Sequence, residues 1–352
     1  MLTTNALFVA SFVAATSAAC VGNVGGAGSG RGHGSDDPTP ETCDKVEEVT
    51  TAVTIRSNAD FDKVPDGCWD LYAPLTIEGS EITSLAKLGN LQGANELHLS
   101  GTSLKALDTL KPLKVYGALS ITNNDQLTDL KNLSLEWVDN VPLSITIDDN
   151  AVLASLDGVA DVTRADGNIA ITSNPKLASA ALHKLDRVDG SIKVTDNAAL
   201  TTLDLSALTT VAGIEVSRNQ TLTTLSGLGA TAIHGSMIVR ANPALTTMGS
   251  MSSLSRIEGD LIVDDNDALT NISAFTASMQ YVTGALSITN NQALGDLGQI
   301  SHLTGIGTIT ITNNVNLSFC RAQEVDHCVP THGTVLINNN KSASNCNCWC
   351  GR

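Results

Sequence analysis

The chain has 352 residues, a formal net charge of −16 and only 3% aromatic residues. Large rings usually fill much of a globular core of this size, so the composition favours an architecture with a narrow interior. The negative charge repels nucleic-acid phosphates and anionic lipid headgroups. We therefore expect no nucleic-acid partner, and a membrane association only through an anchor.

Residues 1–19 predict an export signal. Residues 6–15 form a low-polarity run of the length of a signal peptide core, too short to span a bilayer. Ser17 and Ala19 supply the small residues of a cleavage site, and Cys20 follows directly. This placement resembles a bacterial lipoprotein signal, which implies lipidation of Cys20. Ordinary cleavage and secretion is the alternative. Residues 20–42 hold seven glycines and predict a flexible linker.

From Thr51 onward the chain repeats one unit, in which a strand ends at Asn and Leu follows three residues later. Two copies are GALSITNNDQLTDL from Gly117 and GALSITNNQALGDL from Gly284. The units recur at intervals of 22 to 26 residues, with a mean of 23.5. The residues that close the strands are Asn58, Ser80, Thr102, Asn124, Asn150, Asn174, Asn197, Asn219, Asn242, Asn266, Asn291, Asn314 and Asn340. Such a repeat predicts a solenoid.

Apolar residues alternate at the fifth and third positions before each Asn, as Leu119 and Ile121 do, which is the period of a strand with one buried face. We expect every Asn of the series to point inward and bond the backbone of its own bend and of the neighbouring turn, with Ser80 and Thr102 substituting a hydroxyl. About 23 residues per turn leave little room for an outer α-helix, which favours 3₁₀ or extended segments there. One turn cannot bury its own apolar face, but a stack can.

The units resemble the receptor L-domain family, the repeat domain of growth-factor receptor ectodomains that also occurs in fungal wall and bacterial surface proteins. LTIEGSEITSL from Leu75 matches the related leucine-rich repeat form, and VTIRSNADFDKVPDGC, ending at Cys68, matches the family's start. The resemblance covers residues 43–352. It implies an all-β, right-handed L-domain-like solenoid of about 13 turns, with one long parallel sheet and disulfide-capped ends.

The cysteines avoid the middle of the array. Cys43 and Cys68 bracket the first turn, and we expect them to pair, since an exported solenoid can cover its ends with disulfides. The others lie in the last turns, and spacing alone does not fix their pairing: Cys320 pairs with Cys346 or Cys348, and Cys328 with another. Cys346, Cys348 and Cys350, with His327 and His332 nearby, also fit a zinc site, but disulfides suit an oxidising compartment better. We expect no metal.

No constellation of residues predicts catalysis or a cofactor. The acidic clusters at Asp148–Asp149 and Asp264–Asp267 lie five turns apart, about 24 Å, whereas glycosidase carboxylates lie within about 9.5 Å of each other. The outward positions beside the repeated Asn carry no aromatic residue, and Ile238 and Ile262 form their one apolar patch. These outward positions are Thr76, Glu78, His98, Ser120, Thr122, Thr146, Asp148, Thr172, Lys193, Thr195, Glu215, Ser217, Arg240, Asp264, Ser287, Thr289, Thr310 and Thr312.

These observations favour a non-enzymatic protein of the cell surface or outer membrane, or a secreted one, that recognises or adheres to an extracellular protein or glycan. A structural component of the cell envelope without a specific ligand is the first alternative. A polysaccharide-active enzyme is the second.

Overall fold

The computed structural model describes residues 43, 45–138, 141–180, 182–273, 278–298, 300, 303–330, 332–342 and 346. The predicted export signal (1–19), Cys20 and the linker (20–42) lie outside the described residues, as do Cys348 and Cys350. The described residues all belong to one structural unit, 43–352.

Short strands make up most of the regular structure. In chain order they are β1 (Glu47–Val49), β2 (Val53–Ile55), β3 (Trp69–Glu78), β4 (Leu91–Ser100), β5 (Leu113–Val115), β6 (Leu119–Thr122), β7 (Leu133–Leu135), β8 (Ile145–Asp148), β9 (Arg164–Ala165), β10 (Ile169–Thr172), β11 (Arg187–Thr195), β12 (Thr202–Leu205), β13 (Thr210–Ser217), β14 (Thr224–Leu228), β15 (Ala232–Ile233), β16 (Met237–Arg240), β17 (Arg256–Ile257), β18 (Leu261–Asp264), β19 (Tyr281–Thr289), β20 (Gly305–Thr312) and β21 (Val335–Asn338). The 3₁₀ helices are Asn58–Lys63, Ala86–Leu88 and Asp157–Val159, and the α-helix α1 is Phe319–Cys328.

The strands that end at the repeated polar residue stack in parallel. Twelve successive pairings join the thirteen strands β2, β3, β4, β6, β8, β10, β11, β13, β16, β18, β19, β20 and β21. We call the outward side of this ladder the first face. The stack confirms the predicted all-β solenoid, with about one strand of this ladder for each predicted turn.

A second parallel ladder precedes the first one in each turn. The two ladders are separated by a bend in the chain, which we call the corner. It has two runs, β1–β3–β4–β5–β7 and β9–β11–β13–β15–β17–β19–β20. We call its outward side the second face. The longer strands continue through the corner with a shift of register, so both ladders belong to one 19-stranded sheet. β12 and β14 form a separate pair on the third side.

The interior is a continuous apolar column. The leucines three residues after the repeated Asn have no exposed surface, and they are Leu127, Leu153, Leu177, Leu200, Leu222, Leu245, Leu269, Leu294 and Leu317. Each turn therefore adds aliphatic surface to a core that it shares with its two neighbours, which is why the chain needs few rings.

The predicted asparagine ladder runs through the solenoid. From Asn124 to Asn314, each backbone N–H donates to Oδ1 of the next asparagine, at 3.0–3.2 Å. Each Nδ2, through Asn340, donates to a strand carbonyl of the preceding turn. Thr102 opens the ladder by donating its N–H and its hydroxyl to Asn124. The buried amides thus satisfy both their own polar atoms and the backbone of the bend.

The first two positions of the predicted series are not part of the ladder. Asn58 is exposed, and begins a 3₁₀ helix in which Phe61 is buried. The prediction for Asn58 was wrong because this helix replaces the inward bend of the later turns. Ser80 is exposed too, after Gly79 at a φ of 108°. The ladder therefore starts at Thr102, two turns later than predicted.

The residue before each ladder asparagine adopts the left-handed conformation. The φ angles lie between 53° and 62° at Asn123, Asp149, Ser173, Asp196, Arg218, Ala241, Asp265, Asn290, Asn313 and Asn339. Asn and Asp tolerate this region better than other residues with a side chain. The left-handed residue turns the chain, which lets the next asparagine point inward.

Glycines line the corner between the two ladders because successive turns come very close there. A Cβ on Gly259 would lie 2.6 Å from the carbonyl carbon of Gly235, and one on Gly190 would lie 2.6 Å from Gly167 O. Real Cβ atoms do not approach that closely, which explains why both quoted copies of the repeat begin with glycine.

The ends differ from the middle. The Cys43–Cys68 disulfide closes the first turn, as predicted, and Cys320 pairs with Cys346, one of its two predicted partners. Cys328 is disulfide-bonded as well. The expectation of 3₁₀ or extended outer segments holds at Ala86–Leu88 and Asp157–Val159, but α1 departs from it, since the long interval between Asn314 and Asn340 leaves room for a helix. In the described ranges no helix has the length and apolar character needed to cross a membrane.

Candidate recognition surface

The first face is a polar surface whose side chains bond one another across turns. Thr289 Oγ1 donates to Asp264 Oδ1 at 2.5 Å, and Thr172 makes the same bond to Asp148. Most of the predicted outward positions are at least partly exposed. Three of them are buried by their neighbours, which corrects the prediction, and these are Thr195, Ser217 and Thr312.

The cations of the first face have internal partners. Lys193 Nζ lies 3.5 Å from Glu215 Oε2, and Arg240 Nη2 lies 3.8 Å from Glu215 Oε1. Ile238 and Ile262 are adjacent, as predicted. Because these two cations, and the hydroxyls of Thr172 and Thr289, have partners within the sheet, they are less available to a ligand.

The two acidic clusters lie on β8 and β18 and in the bends after them, five pairings apart. Burial, and then the charges of Asp267 and Asp264, raise the pKa of Asp265. Asp264 accepts hydrogen bonds from Thr289 and Asn290. Within the described part of the chain, no three His, Cys, Asp or Glu side chains come together as metal ligands.

The tyrosines lie on the second face. The chain has three, and all are at outward positions of the second ladder: Tyr72 in β3, Tyr116 directly after β5, and Tyr281 at the start of β19. Tyr72 is 42% exposed and Tyr281 45% exposed. Trp137, two residues after β7, is partly buried beside the same ladder. The aromatic side chains that the first face lacks are therefore concentrated one corner away.

Tyr72 and Tyr116 lie on either side of β4. Asp70, Gly93 and Lys114 are register partners on adjacent strands, which puts the two tyrosines two strands, roughly 10 Å, apart. A Cβ on Gly93 would lie 2.8 Å from Tyr116 Cε2 and 3.3 Å from Asp70 Oδ1. The Tyr116 ring and the Asp70 carboxylate thus both lie over the bare backbone of Gly93.

Carboxylates surround this pair of rings. Glu48 is the register partner of Asp70, and Lys114 Nζ lies 3.0 Å from Glu136 Oε1. We define the tyrosine patch as Glu48, Asp70, Tyr72, Gly93, Lys114, Tyr116 and Glu136.

The pKa values of three ionisable groups of the patch are raised. Burial, followed by the charges of Asp70 and Glu136 and by Tyr72, raises the pKa of Tyr116 to about 12. Burial also raises the pKa of Asp70, with Glu48 adding to the rise while Lys114 and the Gly93 N–H oppose it. The pKa of Tyr72 rises for the same reasons, burial first and then Asp70 and Glu48.

Farther along the second face, an arginine stacks on an aromatic ring. Arg164 Cζ lies 4.3 Å from the centroid of the Trp137 ring. Arg164 Nη2 is 2.9 Å from Asp166 Oδ1 and 3.5 Å from Asp189 Oδ2. The Trp137 indole N–H donates to Asp166 Oδ2 at 2.8 Å. The guanidinium is thereby held between a π face and two carboxylates.

Two grooves indent the surface elsewhere. One of about 420 Å³ lies on the second face, where Gly305 and Gly307 expose backbone between Tyr281 and His332. Another of about 600 Å³ lies near the 3₁₀ helix Ala86–Leu88, among hydroxyl groups and the side chains of Lys105 and Asp108.

Comparison of the chain with protein-family models, with curated proteins and with solved structures finds no match. The resemblance to the receptor L-domain family therefore stays a prediction. The second face was missed in the sequence because its strands lack a fixed motif. The alternation Leu71-Tyr72-Ala73, with Tyr72 between two inward residues, was the signal that could have indicated it.

Proposed function

We propose that the protein is an exported, non-enzymatic recognition protein that binds an extracellular protein or glycan through its second face. The observation that carries the proposal is the location of all three tyrosines at outward positions of one ladder. Tyrosine and tryptophan are enriched among residues that dominate binding energy, because they bury a large rigid surface and keep a polar group for hydrogen bonding.

The contrast with the first face supports this assignment. Its threonines and aspartates bond one another across turns, and Lys193 and Arg240 share Glu215. Tyr72 and Tyr281, by contrast, leave over two fifths of their surface in solvent. An extended sheet of this kind offers a ligand contacts over many turns.

Export is part of the same proposal. The signal-like residues 1–19, followed by Cys20, favour a lipoprotein held at the cell surface by acylation, with residues 21–42 as the tether. The Cys43–Cys68 and Cys320–Cys346 disulfides are consistent with an oxidising compartment. Mass spectrometry of the mature amino terminus tests the anchor, and an unmodified Cys20 would contradict it.

Binding of labelled protein to intact cells and extracellular material of the source organism tests recognition. We expect saturable binding that is competed by unlabelled protein and lost in the double variant Tyr72→Ser and Tyr281→Ser. The matched control is Lys193→Ser with Arg240→Ser on the first face, which should bind as the unmodified protein does. Binding that is not saturable, that the tyrosine variant retains, or that the control variant also loses, would contradict the proposal.

A further inference from the structure

The second face contains one occupied guanidinium site and a second arrangement with similar groups. In the occupied site, Arg164 stacks on Trp137 and pairs with Asp166 and Asp189. The tyrosine patch has two rings and the carboxylates of Glu48 and Asp70 at outward positions of the second ladder, although at other places in the turn: Tyr72 and Tyr116 correspond to Asp166 and Asp189, and Asp70 corresponds to Arg164. Among the described residues, no cation stacks on Tyr72 or Tyr116.

The charges of the patch are unbalanced. Lys114 is ion-paired with Glu136. No ion pair of the described residues includes Glu48 or Asp70, which are neighbours on paired strands. A cation placed there would relieve the repulsion between these carboxylates, and the net charge of −16 would steer cationic partners toward the protein.

The geometry brings the necessary groups within reach of one ligand. Because Gly93 has no side chain, the Tyr116 ring and the Asp70 carboxylate both approach the space over its Cα. Tyr72 is two residues after Asp70 in the same strand, so both side chains are on the outward face of the sheet. A planar guanidinium can stack on an aromatic face while its N–H groups bond a carboxylate, which an aliphatic or neutral group cannot do.

We propose that the tyrosine patch binds an arginine side chain of a protein partner, with stacking on Tyr72 and Tyr116 and an ion pair to Asp70. The inference deepens the proposed function and rests on it: the partner is a protein with an exposed basic side chain rather than a neutral glycan. Charge complementarity and the Arg164–Trp137 arrangement on the same face are the grounds for choosing this occupant.

The test uses the peptide acetyl-Gly-Arg-Gly-Arg-Gly-amide, with a matched peptide in which citrulline replaces arginine. Citrulline keeps the shape of the side chain and removes its charge. Titration of the full chain, followed by the NMR signals of the tyrosine rings, should show the arginine peptide binding at least about fivefold more tightly than the citrulline peptide. The affinity should fall as salt is added.

Variants locate the site. We expect Tyr72→Leu and Asp70→Asn each to reduce the preference for arginine by about fivefold or more. Asp125→Asn is the matched control for Asp70→Asn, since Asp125 is an exposed aspartate in the bend after β6, outside the second face, and its replacement should leave the preference unchanged. Because Tyr72 is exposed, its replacement removes no buried contact of the core.

Several results would overturn the inference: equal affinity for the two peptides, no shift of the tyrosine signals at any peptide concentration, or a loss with Asp125→Asn that equals the loss with Asp70→Asn. Saturable binding of a neutral oligosaccharide at the patch would also overturn it. The proposed function fails by a different result, namely when cell-surface binding survives the double tyrosine variant. A partner that binds the second face but tolerates Asp70→Asn would leave the proposed function standing and contradict only the arginine site.

Discussion

The side-chain Oδ1 of Asn197 accepts the backbone N–H of Asn174 in the preceding turn, at 3.1 Å, while Nδ2 of Asn197 donates to Ile171 O at 2.9 Å. Replacing Asn197 with alanine would leave the buried N–H of Asn174 without its partner and would remove the amide donor from Ile171 O. We expect Asn197→Ala to lower the free energy of unfolding by about 1–3 kcal/mol, the cost of one orphaned buried group. Urea denaturation measures the loss.

Asn58→Ala is the control for this prediction. Asn58 closes the first repeat in the sequence, yet it is exposed and outside the ladder. We expect its replacement to change the free energy of unfolding by less than about 0.5 kcal/mol. Equal effects of the two substitutions would contradict the ladder as the source of the stability.

The corner glycines predict that two glycine-to-alanine substitutions differ in their effect on stability. A Cβ on Gly307 would overlap the Gly284 carbonyl and lie 2.7 Å from Thr283 O, whereas nothing lies within 4 Å of a Cβ on Gly295. Overpacking against backbone cannot be relieved by a rotamer change, so Gly307→Ala should destabilise the protein by about 1–3 kcal/mol. Gly295→Ala should be neutral or slightly stabilising. Thermal melts of both variants check this, and a neutral Gly307→Ala would mean that the turns are farther apart at the corner.

The left-handed residues predict a stabilising substitution. Ala241 has a φ of 53°, where asparagine occupies the corresponding place in other turns, as Asn290 and Asn313 do. Alanine costs about 1 kcal/mol or more in the left-handed region, and asparagine costs less. Ala241→Asn should therefore raise the free energy of unfolding by up to about 1 kcal/mol. The control is Ala198→Asn, at an exposed position outside the left-handed set, which should have little effect. A loss of stability at Ala241 would contradict the assigned backbone conformation.

The raised pKa of Tyr116 predicts a loss of stability at high pH. Its pKa is about 12 in the folded protein and about 10 when unfolded, so the unfolded chain loses the proton first. The contribution of Tyr116 to stability is therefore complete below about pH 10 and disappears as pH rises toward 12. Tyr116→Phe, which has no proton to lose, should show a smaller fall over this window. Parallel pH profiles for the two proteins would refute the raised pKa of Tyr116.

The fold could be predicted in detail where each turn obeys the same physical rule. Asn124 and Leu127 fall at fixed places because every turn must bury the same bend and the same aliphatic layer. The first turn is an exception. Asn58 matches the sequence pattern, but it begins the 3₁₀ helix of the cap that also contains Phe61 and Cys68. α1 was unpredicted for a similar reason, since it is part of the other cap.

The candidate site could not be predicted in the same way, because it depends on residues that the repeat does not fix. Tyr72 and Tyr116 each lie eight residues before a strand-closing residue, so the repeat places them two turns apart, but nothing in the repeat marks that position as outward. The absence of a side chain at Gly93 matters only because Tyr116 leans over it. Under the proposed function, recognition depends on outward positions, and these are the positions at which the repeat does not fix the residue type.

Amide hydrogen exchange of the protein, alone and bound to its cell-surface partner, tests the central claim most directly. We predict that binding slows exchange along the second ladder, in the segments around Tyr72, Gly93 and Tyr116, and leaves the first-face strands β6 and β8 unchanged. Protection confined to β6, β8 and their neighbours on the first face would contradict the second face as the recognition surface.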